Sequence, residues 1–95
     1  MHRPGLEKRR SPDPLKRRAP QSPLGSAMRE HFARNVRHFR RKKGMTQLEL
    51  ASAAGVGRSF ISQVERGHFS VTLETIAAIA VALGIPPTKL IQTAV

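Results

Sequence analysis

From residue 27 onward, apolar residues recur at the spacing of an amphipathic helix. Phe32, Val36 and Phe39 stand at i, i+4 and i+7, which predicts one buried face on a first helix. This helix is predicted to run from Ala27 to Lys43, with Ser26 as its N-cap. Four cations occupy the last turn of this helix, where positive charge interacts favourably with the negative end of the helix dipole.

The rest of the chain continues as short helical segments separated by glycine and proline. In the fourth segment the apolar positions are one helical face and are predicted to be buried: Leu73, Ile76, Ala77, Ala80 and Leu83. No stretch alternates as a strand does, so the pattern predicts an all-α domain of five helices. The later helices are predicted at Gln47 to Ala54 with Thr46 as cap, at Arg58 to Arg66, at Leu73 to Leu83 with Thr72 as cap, and at Thr88 to Gln92.

Residues 1–26 have a different composition. They hold five of the seven prolines, seven of the 17 basic residues and almost no large apolar side chains. Such a segment cannot bury enough apolar surface to offset the entropy of ordering, so it is predicted to be a disordered tail before the domain at 27–95. Its basic runs, EKRR and LKRR, are interpreted as a solvated tail; an arm that contacts phosphates and a nuclear-import signal are the alternatives.

The overall charge narrows the class of partner. A formal net charge of +11 favours a polyanion, with nucleic acid first and an anionic membrane surface second. The chain has no cysteine, which excludes disulfides and suits a reducing cytoplasm. No apolar run approaches the roughly 20 residues that span a bilayer. The N-terminus lacks the apolar segment of a secretory signal.

The stretch RSFISQVERG, residues 58–67, has an unusual polar face. At about 100° per residue, Phe60, Ile61 and Val64 fall on one side of a helix. The other side has two cations and no carboxylate, and its three uncharged side chains can both donate and accept hydrogen bonds. This polar arc consists of Arg58, Ser59, Ser62, Gln63 and Arg66.

The second and third predicted helices are joined by the short segment AAGVG. A helix-turn-helix pair needs such a turn, commonly with a glycine, and Gly55 can take the positive φ that a side chain resists. The apolar positions predicted to hold the two helices together are Leu50, Ala54, Val56, Ile61 and Val64.

The sequence TQLELASAAGVGRSFISQVERG resembles the helix-turn-helix of the phage repressor and Cro family, also called the XRE family. Gln47 matches the residue that opens the second helix, Ala51 the small residue four positions on, Gly55 the turn glycine and Ile61 the branched residue six further on. The resemblance covers roughly residues 28 to 92 and implies a compact, lambda-repressor-like domain of five helices. FISQVERG followed by VTLETI is also similar to the small controller proteins of restriction-modification systems.

The resemblance implies a role for each polar position. The third helix would enter the major groove and read base edges with Arg58, Ser59, Ser62 and Gln63. Gln47 would anchor the start of the second helix to a phosphate. Arg66 matches a position that contacts the DNA backbone and, in some members of the family, a base. The expected DNA-binding residues are therefore Thr46, Gln47, Arg58, Ser59, Ser62, Gln63 and Arg66.

The resemblance also implies a structural ion pair between Arg40 and Glu65. Two departures from the family pattern stand out. Gly57 replaces a residue that commonly caps the third helix, which predicts a loosely started helix. Phe60 is bulky for its position and is predicted to pack inward, with a thymine-methyl contact as the alternative.

Catalytic and metal sites have little support. No nucleophile is accompanied by a plausible base and orienting group, so the chain is not predicted to be an enzyme. His31 and His38 lie two helical turns, roughly 10 Å, apart and are too distant to share one ion. No metal ion or cofactor is expected.

These observations predict a cytoplasmic, sequence-specific transcriptional regulator of bacterial or phage origin, associated with the nucleoid and bound to double-stranded DNA. One short reading helix touches few base pairs, so a homodimer on a two-fold site is expected. Its predicted interface is at the C-terminal end, at Ile85, Leu90, Ile91 and Val95. The alternatives are an antitoxin that binds both operator DNA and a protein toxin, a protein-interaction module, and a membrane-surface protein.

Overall fold

A computed structural model describes residues 22–93 of the chain. Five helices occupy most of this part, and it contains no strand. The all-α prediction is therefore confirmed over these residues. The helices are α1 (Pro23–Lys42), α2 (Gln47–Ala54), α3 (Arg58–Val64), α4 (Leu73–Leu83) and α5 (Thr88–Ile91).

The start of α1 differs from the prediction. The helix begins at Pro23 rather than Ala27, and its N-cap is Ser22 rather than Ser26. The Ser22 hydroxyl accepts a hydrogen bond from the backbone N–H of Gly25 at 2.9 Å. Proline fits the first helical position because no intrahelical N–H bond is needed there. The remainder of the predicted tail, residues 1–21, lies outside the described residues.

The core forms where α2 packs against α3 and α4, and where α1 packs against α4 and α5. Its largest fully buried apolar side chains come from all five helices. Of the positions predicted to join the second and third helices, Leu50, Ile61 and Val64 are buried, while Ala54 and Val56 are half-buried. Burial of each of the larger side chains contributes on the order of 1.5–3 kcal/mol relative to exposure.

The predicted buried face of α4 is partly wrong. Leu73 is 83% exposed, and Ala77 is exposed as well. Ile79, which was outside the predicted set, is completely buried beside Ala80. Ala80 and Leu83 are buried as predicted, so the contact of α4 with α2 and α1 covers the later positions of the predicted stripe but not Leu73 or Ala77.

α5 is held against α1 by a buried amide. Asn35 of α1 is completely buried, and its Nδ2 donates to the backbone carbonyls of Leu90 and Gln92, both at 2.9 Å. Leu90 is also completely buried in the core, so its assignment to the dimer surface is wrong. The helix ends at Ile91, one residue earlier than predicted, because the backbone of Gln92 is extended.

Candidate DNA-binding surface

The N-terminus of α2 is closed by a reciprocal capping box. The Thr46 hydroxyl accepts from the N–H of Glu49 at 3.0 Å, and the Glu49 carboxylate accepts from the N–H of Thr46 at 2.8 Å. Within residues 22–93, no hydrogen bond engages the N–H groups of Gln47 and Leu48. Two donors at the positive end of a helix dipole are a suitable site for a phosphate.

The turn between α2 and α3 depends on Gly55. Its φ is 75°, a left-handed conformation in which a Cβ would be strained. This conformation lets the Val56 N–H donate to the Ala51 carbonyl at 2.9 Å. The chain then turns at Gly57, the N-cap of α3, which provides no side-chain capping bond, as the sequence predicted.

The two sides of α3 differ sharply in burial. Ile61 is completely buried and Val64 is 2% exposed, which fixes the helix from beneath. On the other side, Arg58 and Ser59 are exposed, and Ser62 and Gln63 are half-buried. The four predicted base-reading residues thus lie together on one accessible face, and their contacts with bases stay a prediction.

α3 is shorter than predicted and ends at Val64 rather than Arg66. Gly67 has a φ of 75°, and the N–H of His68 donates back to the Gln63 carbonyl at 3.0 Å. This arrangement closes the helix end. Arg66 is exposed in the resulting turn, beside the polar face of the helix.

The predicted Arg40–Glu65 ion pair is confirmed. The Glu65 side chain is 2% exposed, and it accepts from Arg40 Nε at 2.6 Å and Nη2 at 3.0 Å. Arg40 Nη1 donates to the Met45 carbonyl at 2.8 Å. The pair therefore connects α1 with the end of α3 and with the segment that leads into α2.

Two members of this network were not anticipated from the sequence. Gln47 Nε2 donates to Glu65 Oε1 at 3.1 Å, so the residue expected to meet a phosphate also connects α2 to the ion pair. Arg37 Nη1 donates to the backbone carbonyl of Glu65. The sequence signal for Arg37 is its position one helical turn before Arg40, which places the two side chains on the same face of α1.

Phe60 lies at the border of the polar face. It is half-buried and packs against the core, as predicted. Its ring also contacts that of Phe69, with centroids 5.3 Å apart, an aromatic pair of the usual tilted kind. Phe60 therefore joins α3 to the loop that precedes α4.

In the described part of the chain, no three His, Asp or Glu side chains converge as metal ligands would. None of the helices in residues 22–93 has the length and apolar character that crossing a bilayer requires.

Comparison with known proteins places this geometry among regulators. Residues 36–90 match the helix-turn-helix family profile. The chain is 39% identical over 64 residues to a hypothetical transcription factor of Neisseria meningitidis, across 67% of this chain and 60% of that protein. It is 38% identical over 64 residues to control protein C.SmaI of Serratia marcescens, across 67% of this chain and 76% of that protein.

Solved structures of regulatory proteins are also similar to this chain. The restriction-modification controller protein C.AhdI of Aeromonas hydrophila has a TM-score of 0.64 and 39% identity, over 65% of this chain and 94% of that one. The clp gene regulator ClgR of C. glutamicum has a TM-score of 0.64 and 36% identity, over 66% of this chain and 82% of that one.

Proposed function

The chain belongs to the helix-turn-helix family of the phage repressor and Cro type and is a DNA-binding transcriptional regulator; from this we propose that α3 reads operator DNA in the major groove and that the protein acts as a homodimer. The relatives in this family are transcription regulators rather than enzymes.

The accessible polar face of α3 is the observation that carries the proposal. Arg58, Ser59, Ser62 and Gln63 lie on one side of a helix whose other side is buried. Arginine pairs with the guanine edge and glutamine with the adenine edge, whereas serine is tolerant. No carboxylate lies on this face, so nothing there repels the phosphates along the groove.

The start of α2 supplies a contact that sets the register on DNA. The unused N–H groups of Gln47 and Leu48 point out of the helix N-terminus, where a backbone phosphate is favoured. Gln47 is itself bonded to Glu65, and Glu65 follows the last residue of α3. A phosphate bound at α2 would therefore hold α3 at a fixed distance from the groove wall.

The dimer surface that the structure favours differs from the one predicted from the sequence. Ile91 is 52% exposed and Ile85 is half-buried, whereas Val95 lies outside the described residues. Ile91 borders an apolar groove that also includes Met28, Phe69 and Val71. An apolar surface of this kind on a small domain is typical of an association site. We assign the dimer contact to Ile91 and this groove.

Selection of bound sequences from a random DNA pool tests the reading of DNA. We expect a two-fold symmetric consensus whose half-sites lie one helical turn, about 34 Å, apart, because two copies of α3 must enter successive major grooves. A pool that shows no enrichment would contradict sequence reading. An enriched but asymmetric single site would contradict the dimer alone.

Sedimentation tests the dimer surface directly. We expect a dimer at tens of micromolar for the unaltered chain and a monomer for Ile91→Glu, because the new carboxylate would be buried without a partner. Val81→Glu is the matched control, since Val81 is 81% exposed on a different helix, and it should remain dimeric. A monomeric unaltered chain, with and without DNA, would refute the assembly.

A further inference from the structure

A second cationic surface lies on α1, outside the predicted DNA-binding residues. Five side chains line a shallow depression there. They are spaced at i, i+3, i+4, i+7 and i+8, so they form one face of the helix. We name it the α1 basic surface, and it consists of Arg34, Arg37, His38, Arg41 and Lys42.

This surface carries several positive charges and no carboxylate that would neutralise them. Residues 34–43 contain six Lys or Arg and no carboxylate. Arg34, Arg41 and Lys42 are exposed, and none of them has a carboxylate partner within residues 22–93. Like charges one turn apart destabilise a helix by some tenths of a kcal/mol, so the arrangement opposes folding unless an anion binds to it.

The helix dipole accounts for only part of the cluster. Cations in the last turn, namely Arg40, Arg41 and Lys42, suit the negative helix end. Arg34 and His38 lie too far from that end, because the dipole acts only within about one turn. Glu30 lies one turn before Arg34, but its carboxylate is beside Gly67 and forms no ion pair with Arg34.

The α1 basic surface borders both elements expected at the DNA backbone. Arg37 Nη1 donates to the Glu65 carbonyl just past the end of α3. At the other end, the Arg41 carbonyl accepts from the Gly44 N–H at 2.9 Å in the turn that leads to Thr46. A helix in a major groove about 12 Å wide has a sugar–phosphate wall on each side. The α1 basic surface adjoins the end of α3 and the turn before α2, so it lies near such a wall.

We propose that the α1 basic surface binds phosphates of the DNA backbone that flanks the half-site read by α3, an inference that rests on the proposed function. Arginine suits this role because its planar guanidinium can bind phosphate oxygens through two parallel hydrogen bonds. Arg34 and Arg41 are the principal contacts, since both are exposed and have no carboxylate partner in the described residues. Arg37 serves as a link to α3.

The test is the salt dependence of DNA binding by the full chain and by Arg34→Gln/Arg41→Gln. Each lost phosphate contact lowers the slope of log affinity against log salt by about 0.9, so the double variant should lose about 1.8. The loss should be the same on operator and on random duplexes, because backbone contacts carry no sequence information. It should disappear on a duplex trimmed to the half-sites.

The matched control for one charge is Lys89→Gln, an exposed cation on α5, measured beside Arg34→Gln, which removes one charge from the α1 basic surface. Thermal melting of every variant checks that each is folded. If the control lowers the slope as much as Arg34→Gln does, net charge alone is responsible and the site is refuted. An unchanged slope in Arg34→Gln/Arg41→Gln also refutes it.

A polyglutamate peptide distinguishes an acidic protein partner from DNA. Loss of polyglutamate binding in Arg34→Gln/Arg41→Gln, with the DNA slope unchanged, would assign the surface to an acidic protein and overturn the proposal. The operator preference of the unaltered chain is a separate readout. If that preference is absent but the slope on random DNA still falls in the variant, the proposed function fails while the α1 basic surface stands.

Discussion

Two polar clusters built from similar side chains differ in burial and in how their polar groups are bonded. In one, Arg40 and Gln47 both donate to the carboxylate of Glu65, whose side chain is only 2% exposed. In the other, Arg58 is exposed and Gln63 half-buried, and neither side chain has a hydrogen-bond partner among the described residues. Arginine and glutamine thus hold the domain together in one place and remain available to a ligand in another.

The contrast indicates a division of labour between positioning and recognition. A buried ion pair adds little net stability over an apolar replacement, but the loss of one partner is costly because it strands the other charge. The Arg40–Glu65 pair can therefore fix the end of α3 against α1 and α2. The exposed cluster then presents its donors from a helix whose position is already set, as efficient binding requires.

The largest expected effect comes from Glu65→Gln, which breaks the internal cluster. The change leaves the Arg40 guanidinium buried without its counter-charge, so the free energy of unfolding should fall by roughly 3–5 kcal/mol. Thermal or urea unfolding measures this loss. Sequence preference among the surviving folded molecules should be unchanged, because Glu65 is not on the reading face.

Glu74→Gln is the control for that experiment, since Glu74 is an exposed carboxylate in the first turn of α4. Its loss should cost less than about 1 kcal/mol, through the helix dipole alone. Equal melting temperatures for the unaltered chain and Glu65→Gln would contradict the structural role of the pair.

Arg58→Ala should act on the other cluster and reverse the pattern. We expect binding to the operator to weaken by roughly 1–3 kcal/mol and discrimination at one base position to relax, since a base contact is removed. The free energy of unfolding should change by less than about 0.5 kcal/mol, as for an ordinary surface site. Titration of operator and single-base variants measures the first effect and urea unfolding the second. Operator affinity that is unaffected by Arg58→Ala would refute the role of this arginine.

Thr46→Ala addresses a residue that caps α2 and is also expected to bind DNA. It removes the hydroxyl that caps α2 and disrupts the capping box with Glu49, so the free energy of unfolding should fall by about 1 kcal/mol. DNA affinity should fall as well, and by a similar factor on operator and random duplexes, because a phosphate contact is sequence-independent. Thr46→Ser, which keeps the hydroxyl, should restore both quantities. If Thr46→Ala weakens only the operator complex, the residue contacts a base instead.

Local signals predicted much of the domain correctly. The bounds of α2 and α4 follow from Thr46 and Thr72 as caps and from glycine after each helix, because capping is decided within one helical turn. The start of α1 carried a similar signal, serine followed by proline at the first helical position. It was missed because the proline-rich composition upstream predicted disorder.

Tertiary contacts explain the errors in burial. Apolar spacing identifies a stripe on a helix but not the neighbour that covers it, so Leu73 was predicted to be buried although it is 83% exposed. The apolar character of the C-terminal end, together with the family resemblance, predicts a dimer surface that includes Leu90. It is buried because Asn35, 55 residues earlier in the chain, bonds to its carbonyl, a pairing that no local pattern indicates.

The smallest expected effect concerns the helix that carries the exposed cluster. α3 begins at Gly57 without a side-chain cap, whereas α2 begins with a capping box, so recognition rests on the less firmly started helix. A Cβ at Gly57 would meet nothing within 4 Å, and its φ of −82° suits any residue. Gly57→Ser should therefore raise the free energy of unfolding by about 0.5–1 kcal/mol, through the new cap and the lower entropy of the unfolded chain. Urea unfolding measures the gain, and Gly57→Ala, which cannot cap, separates the two contributions. A serine variant no more stable than the alanine variant would show that α3 gains nothing from a cap and is positioned by Ile61, Val64 and the Glu65 network alone.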